Sequence, residues 1–314
     1  MGAGPPDVAR HTGDVNGRYA PSPTGALHLG NLRTALLAWL FARSAGSRFV
    51  MRIDDLDSGR VRPGLADAQL ADLAAIGLDW DPPVMTQSER LEAHGEAIGR
   101  LDAEGALYPC FCTRREIREA ASAPHGALPE GAYPGTCREL TAAQRAERER
   151  AGRPPALRLR AGGERIAYSD RLLGRVEAAV DDTVVRRNDG APAYNLAVVV
   201  DDAAQGVEEV VRGADLAETT PRQILLAQRL GLRPPAYAHV PLVLGPDGAR
   251  LAKRHGAVTL ADRTSRGETA GEVRAALARS VGLAGPGETP GMADLLARFD
   301  PAALPAEPTV LSPS

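Results

Sequence analysis

The chain has 314 residues, a mass of 33.0 kDa and a net charge of −3, which is length enough for about two domains around a sizeable core. Its longest fully apolar run, residues 35–42, is far short of the roughly 20 residues that span a bilayer, and the first 14 residues lack the apolar stretch of a secretion signal. The near-even charge balance gives no global sign of nucleic acid, and three cysteines exclude a disulfide framework.

Residues 1–14 read as a flexible tail and 15–20 as a first strand. Pro21 and Pro23 end the strand, because proline fixes φ and removes a donor. A helix follows over about 30–43, where Leu32, Leu36, Leu37, Leu40 and Phe41 fall at helical spacing. Phe49, Met51 and Ile53 alternate as a second strand that ends at Asp54 and Asp55. Strand, loop, helix, strand is a βαβ unit and predicts a parallel sheet. Further helices are expected over 65–76 and 88–104, stopped by Gly77 and Gly105. Residues 106–137 hold all three cysteines. Thr141 and Gln144 form a capping-box pattern for a charged helix, and Leu157 and Leu159 mark a short strand. Asn188-Asp189-Gly190 is a turn signal between 183–187 and 193–194. Residues 196–200 read equally as strand or buried helix. Thr220-Pro221-Arg222-Gln223 is a second capping-box pattern, with proline at the first helical position. A strand over 240–244 turns through Pro246-Asp247-Gly248, and short helices near 271–282 and 291–298 precede a Pro-rich tail.

His28-Leu29-Gly30-Asn31 stands where the first loop gives way to a helix. The free N–H groups and partial positive charge of a helix N-terminus suit phosphate. Gly30 lets a ligand approach the backbone. His28 and Asn31 can donate to a nucleotide or simply cap the helix. Lys253 is the only lysine, against 36 arginines, and an ammonium on a flexible stem is not interchangeable with guanidinium.

Residues 17–31 (GRYAPSPTGALHLGN), then 33–36 (RTAL), 52–57 (RIDDLD) and Arg60, resemble the glutamyl-tRNA synthetase group of class I aminoacyl-tRNA synthetases. The resemblance implies an α/β fold, a doubly wound parallel sheet of Rossmann type. It makes His28–Asn31 the HIGH-type signature and 250–254 (RLAKR) the KMSKS-type loop. Arg250 stands for the usual first lysine there, Ala252 for the serine, and Lys253 for the second lysine. The implied substrate is ATP with Mg²⁺, bound by His28, Gly30, Asn31 and Lys253, with His28, Asn31 and Lys253 catalytic. In that chemistry a carboxylate attacks the α-phosphorus and pyrophosphate leaves, and positioned donors and cations stabilise the phosphate charge. The implied L-glutamate contacts are Arg18, Ala20, Ser22, Asp54, Tyr194 and Arg212. Arginine suits a carboxylate, and an acid suits the ammonium. Asp54 stands where the family has glutamate and is one methylene shorter.

Cys110, Cys112 and Cys137 supply three thiolates, and a tetrahedral Zn²⁺ site wants a fourth ligand. His125, Glu130 and Tyr133 stand nearby; reduced, buried thiols are the plain alternative. Cys-x-Cys followed by Tyr-x-x-x-Cys resembles the zinc-binding insertion of the glutamyl-Q tRNA(Asp) synthetases, a shortened branch of the family. This implies one structural Zn²⁺ on Cys110, Cys112, Tyr133 and Cys137. The 60 residues after Arg254 are fewer than an anticodon-binding region needs, as in that branch. The branch implies activation of glutamate without tRNA and transfer to queuosine at the wobble position of tRNA(Asp). The rival expectations are a truncated synthetase charging a tRNA 3′ end and a non-catalytic glutamate binder. Arg114, Arg115, Arg186 and Arg187 are candidate RNA contacts. The expected protein is a cytoplasmic monomer with no membrane partner. Its expected parts are the tail 1–14, a first catalytic half 15–105, the zinc insertion 106–170, a second half 171–248, and the loop and short helical segment 249–314.

Overall fold

The computed structural model describes residues 16–113, 115–117, 132–249, 251, 255–256 and 258–310. In chain order the strands are β1 (Asn16–Tyr19), β2 (Phe49–Ile53), β3 (Asp81–Thr86), β4 (Leu107–Cys110), β5 (Ala156–Leu159), β6 (Arg165–Asp170), β7 (Gly174–Ala179), β8 (Val184–Arg186), β9 (Val207–Gly213), β10 (Ala236–Val240), β11 (Val243–Leu244) and β12 (Thr309–Val310). Seven of them form the main sheet, in the order β3-β2-β1-β9-β10-β6-β7. Every neighbouring pair is parallel except β6 and β7. The direction of winding reverses between β1 and β9. At such a switch point a ligand crevice opens beyond the carboxyl ends of the strands.

Helix α1 (Leu29–Ser44) joins β1 to β2. Twelve of its 16 residues are buried, and a helix that is apolar all round belongs in an interior. One side packs on β1 and β9, the other on the helices Ala270–Arg279 and Met292–Arg298. Gly17 permits this approach, since a Cβ there would sit 2.8 Å from Ala42 Cβ. A second apolar cluster, with Leu101, Leu196, Val210 and Leu225, lies outside this one.

The expected first strand, first helix and second strand are β1, α1 and β2. Residues 196–200 are helical, within Tyr194–Ala204. The strand expected over 240–244 is two, β10 and β11, separated at Pro241, whose carbonyl accepts from Arg33. β3 carries Pro82 and Pro83, which argue against a strand, but it lies on the sheet edge, where proline is tolerated. The capping box expected at Thr220 does not form. The N-cap of Thr220–Arg229 is Thr219, which makes no side-chain cap, and the Thr220 hydroxyl turns inward to accept from Arg212.

The cysteine-bearing region builds a separate antiparallel sheet, β4-β5-β8. Its strands do not follow the division expected at residue 170. β6 already belongs to the main sheet through β10, while β8 returns to pair with β5. Among the described residues, no helix is long and apolar enough to cross a membrane.

Candidate active site and metal centre

A cavity of about 610 Å³ opens at the carboxyl ends of β1, β2 and β9. Arg18, Ala20, Ser22, His28, Gly30, Asn31, Asp54, Tyr194 and Arg212 all line it. Lys253 lies outside the described residues, as do Arg250, Ala252 and Arg254. Leu251 lines the same cavity. Val258 lies beside α1, where the Leu29 N–H donates to its carbonyl at 2.7 Å.

At the N-terminus of α1, His28 Nδ1 accepts from the Asn31 N–H at 3.2 Å, and Asn31 Oδ1 accepts from the His28 N–H at 3.1 Å. The two thus cap the helix reciprocally while lining the cavity. Because Nδ1 accepts, a neutral His28 ring carries its proton on Nε2. A Cβ on residue 30 would press the His28 ring at 3.0 Å, so glycine leaves the imidazole its place. The first turn of α1 contains no acid, which leaves its positive end available to an anion.

Opposite, fully buried Arg52 joins two acids. Its Nε donates to Asp54 Oδ1 at 2.7 Å and its Nη1 to Asp202 Oδ1 at 2.5 Å. Arg18 Nε lies 3.5 Å from the same Asp202 oxygen. Burial works against a charged Asp202, but Arg52 and Arg18 outweigh it and hold the carboxyl below its ordinary range. Burial raises the Asp54 pKa in spite of Arg52. A substrate ammonium beside Asp54 would therefore favour its charged form. Gln69, from α2 (Leu65–Ala75), is buried and donates to the Ser22 and Gly25 carbonyls at 3.0 and 2.7 Å. It pins the loop that carries Ser22 over the cavity.

Arg212, at 5% exposure, differs from its neighbours. Nε donates to His239 Nε2 at 3.1 Å, Nη1 to Gln223 Oε1 at 2.8 Å and Nη2 to Thr220 Oγ1 at 2.7 Å. Among the described residues it forms no ion pair with a carboxylate. A buried cation held only by neutral acceptors is costly until an anion joins it. Asp202, Gln69 and His239 were not singled out from the sequence. Asp202 meets Arg52 across 150 residues, a separation that no local pattern reveals.

The second centre lies at the end of β4. The sulfurs of Cys110, Cys112 and Cys137 all fall within 4.8 Å of one another, with Cys112 and Cys137 at 3.5 Å. Tyr133 Oη lies 3.3 Å from the Cys110 sulfur and 3.8 Å from that of Cys112. A tetrahedral zinc with Zn–S of about 2.3 Å and Zn–O of about 2.1 Å requires donor separations of roughly 3.5–3.8 Å. The separations of 3.3, 3.5 and 3.8 Å, with all three sulfurs inside 4.8 Å, gather the donors at about the spacing such an ion needs. The Cys137 N–H also donates to Tyr133 Oη at 2.9 Å, which orients the phenol oxygen. The Arg158 guanidinium lies 3.7 Å from the centre of the Tyr133 ring and sets a positive charge beside the sulfurs. His125 and Glu130 lie outside the described residues. Of the candidate RNA contacts, Arg114 also lies outside them, Arg115 is exposed, Arg186 is half-buried in β8, and Arg187 pairs with Asp189.

Comparison with known proteins agrees with this geometry. The family described as tRNA synthetases class I (E and Q), catalytic domain, matches residues 14–295. The glutamyl-Q tRNA(Asp) synthetase of Nocardia farcinica is 61% identical over 306 residues, covering 98% of this chain and 96% of that protein. The protein of that name from Symbiobacterium thermophilum is 53% identical, with 93% and 94% covered. The glutamate–tRNA ligase of Geobacter sulfurreducens is 44% identical, over 79% of this chain and 53% of its own length. Among solved structures, a glutamate tRNA ligase from Elizabethkingia meningosepticum in complex with its amino acid superposes with a TM-score of 0.81 at 25% identity. It covers 96% of this chain and 67% of that one. The chain is an enzyme of the ligase type and belongs to the class I tRNA synthetases (E and Q), in the branch of the glutamyl-Q tRNA(Asp) synthetases.

Proposed function

We propose that the enzyme activates L-glutamate with ATP and Mg²⁺ in the absence of tRNA, then transfers the glutamyl group to the queuosine at the wobble position of tRNA(Asp). The observation that carries this reading is Arg212, a buried cation on the cavity wall with no acid partner among the described residues. An amino acid with a second carboxylate supplies the missing charge; glutamine does not. In this reading Arg18 and Arg212 take the substrate carboxylates, Asp54 faces the ammonium, and Tyr194, Ser22 and Ala20 close around the side chain. His28, Gly30 and Asn31 hold the ATP phosphates at the N-terminus of α1. Lys253 stabilises the charge that spreads over the phosphate oxygens as pyrophosphate leaves. Relatives matched over nearly their whole length carry the glutamyl-Q name, which supports the queuosine acceptor. The test is radiolabelled glutamate offered with tRNA(Asp) that carries queuosine and with tRNA(Asp) that lacks it. Label is expected only on the first; equal labelling of both points instead to a 3′-end acceptor. The protein is read as a cytoplasmic monomer.

One structural Zn²⁺ on Cys110, Cys112, Tyr133 and Cys137 belongs to the same reading. The purified chain is expected to hold one zinc per molecule by elemental analysis. Cys112→Ser lowers that content below half and shifts the thermal midpoint down by several degrees, because metal binding and local folding are one equilibrium. Unchanged zinc in this variant contradicts the ligand set.

A further inference from the structure

We infer that Asp170 and His239 are positioning residues for Arg212, holding its guanidinium against the cavity without neutralising it. The inference rests on the reading of Arg212 as a substrate-carboxylate contact. His239 is buried on β10, beside Arg212 on β9, in register with it. Its Nε2 accepts from Arg212 Nε, and its Nδ1 faces Asp170 Oδ2 at 2.6 Å. A ring that accepts at Nε2 must carry its proton on Nδ1, so Asp170 selects this tautomer. Burial lowers the His239 pKa; Asp170 opposes that shift and Arg212 reinforces it. The neutral imidazole therefore works as a spacer. It supplies an acceptor that orients Arg212, while the Asp170 charge stays on the far side of the ring. A carboxylate in contact with Arg212 would pair with it and remove its demand for a substrate anion. Thr220 and Gln223 complete the cradle with two more neutral acceptors.

The other oxygen of Asp170 makes this testable. Oδ1 accepts from the N–H groups of Leu172, Leu173 and His239 at 2.9, 3.0 and 3.3 Å. In Asp170→Asn the amide oxygen must stay on these three donors, so the amide N–H₂ turns to His239 Nδ1. The imidazole then takes the opposite tautomer and points an N–H at the Nε–H of Arg212. The expected result is a KM for glutamate higher by on the order of 10- to 100-fold, the scale of a hydrogen bond to a charged group. KM for ATP stays unchanged, selectivity for glutamate over glutamine falls, and ¹⁵N NMR shows the tautomer switch at His239. His239→Gln, whose amide can accept from Arg212 and donate to Asp170, keeps KM for glutamate within a few-fold, whereas His239→Leu does not. That pair carries the test if Asp170→Asn fails to fold. Wild-type KM in folded Asp170→Asn or His239→Leu overturns the proposal, as does a loss shared equally by both substrates. A wild-type enzyme with no saturable glutamate dependence overturns instead the reading of the cavity.

Discussion

Arg212→Ala is expected to lower kcat/KM for glutamate in ATP–pyrophosphate exchange by about 100- to 1,000-fold, with KM for ATP unchanged. Truncating one member of a buried, hydrogen-bonded charge pair costs roughly 2–5 kcal/mol. In the proposed function the charge partner is the substrate itself, so the loss is expected to fall on binding rather than on folding. Of the cradle left behind, Gln223 Oε1 loses its donor, but the other contacts remain. Thr220 Oγ1 already lies 3.1 Å from His239 Nε2, and Gln223 Nε2 already donates to Asn195 Oδ1 at 3.2 Å. The variant is therefore expected to fold, and its thermal midpoint gives the control. Discrimination should weaken with affinity. A site built around a charged group rejects the analogue that leaves it unpaired, so the residual activity of Arg212→Ala is expected to accept glutamine nearly as well as glutamate. Wild-type kinetics in this variant would place the substrate carboxylate elsewhere.

Lys253→Ala is expected to act on the other half of the reaction. Removing one positioned donor from a developing phosphate charge costs on the order of 10²- to 10³-fold in turnover. Exchange turnover should fall by that factor, while glutamate binding measured by calorimetry stays within about twofold of wild type. Arg250 and Arg254 flank Lys253, yet a planar guanidinium does not reproduce a compact ammonium on a flexible stem. Lys253→Arg should therefore recover little. Equal loss of turnover and glutamate binding in Lys253→Ala would assign this residue to structure. Together the two variants test the proposed division of the site, in which Arg212 selects the acid and Lys253 sets the rate of its activation.

What the sequence revealed depended on the range of the interactions. β1, α1 and β2 were legible because each is an uninterrupted periodic segment, and the loop between β1 and α1 is marked by Pro21 and Pro23. His28 and Asn31 were legible as a pair because they are three residues apart on one helix end. The β6–β7 hairpin went unread, since its exposed face carries Arg165, Arg175 and Glu177 on a short edge strand pair. Arg18, Asp54 and Arg212 came from motif resemblance, and their physical partners did not. Asp202, Gln69 and Asp170 reach the site from helices and strands far along the chain. His239 sits in an apolar strand, where a single histidine carries no pattern of its own. The misplaced cap at Thr220 has the same origin. Its local pattern favours capping, but the hydroxyl gains more by accepting from a buried guanidinium.

The account rests on a cavity where Arg212 is buried with no carboxylate partner among the described residues, and on the proposal that the side chain of glutamate meets it while the helix end takes the phosphates of ATP. The most direct measurement is ATP–pyrophosphate exchange with glutamate and with glutamine, each with and without tRNA. Exchange that requires glutamate, ignores glutamine and proceeds at full rate without tRNA is the predicted result. Exchange that appears only when tRNA is added, or that never appears although glutamate binds, would contradict it.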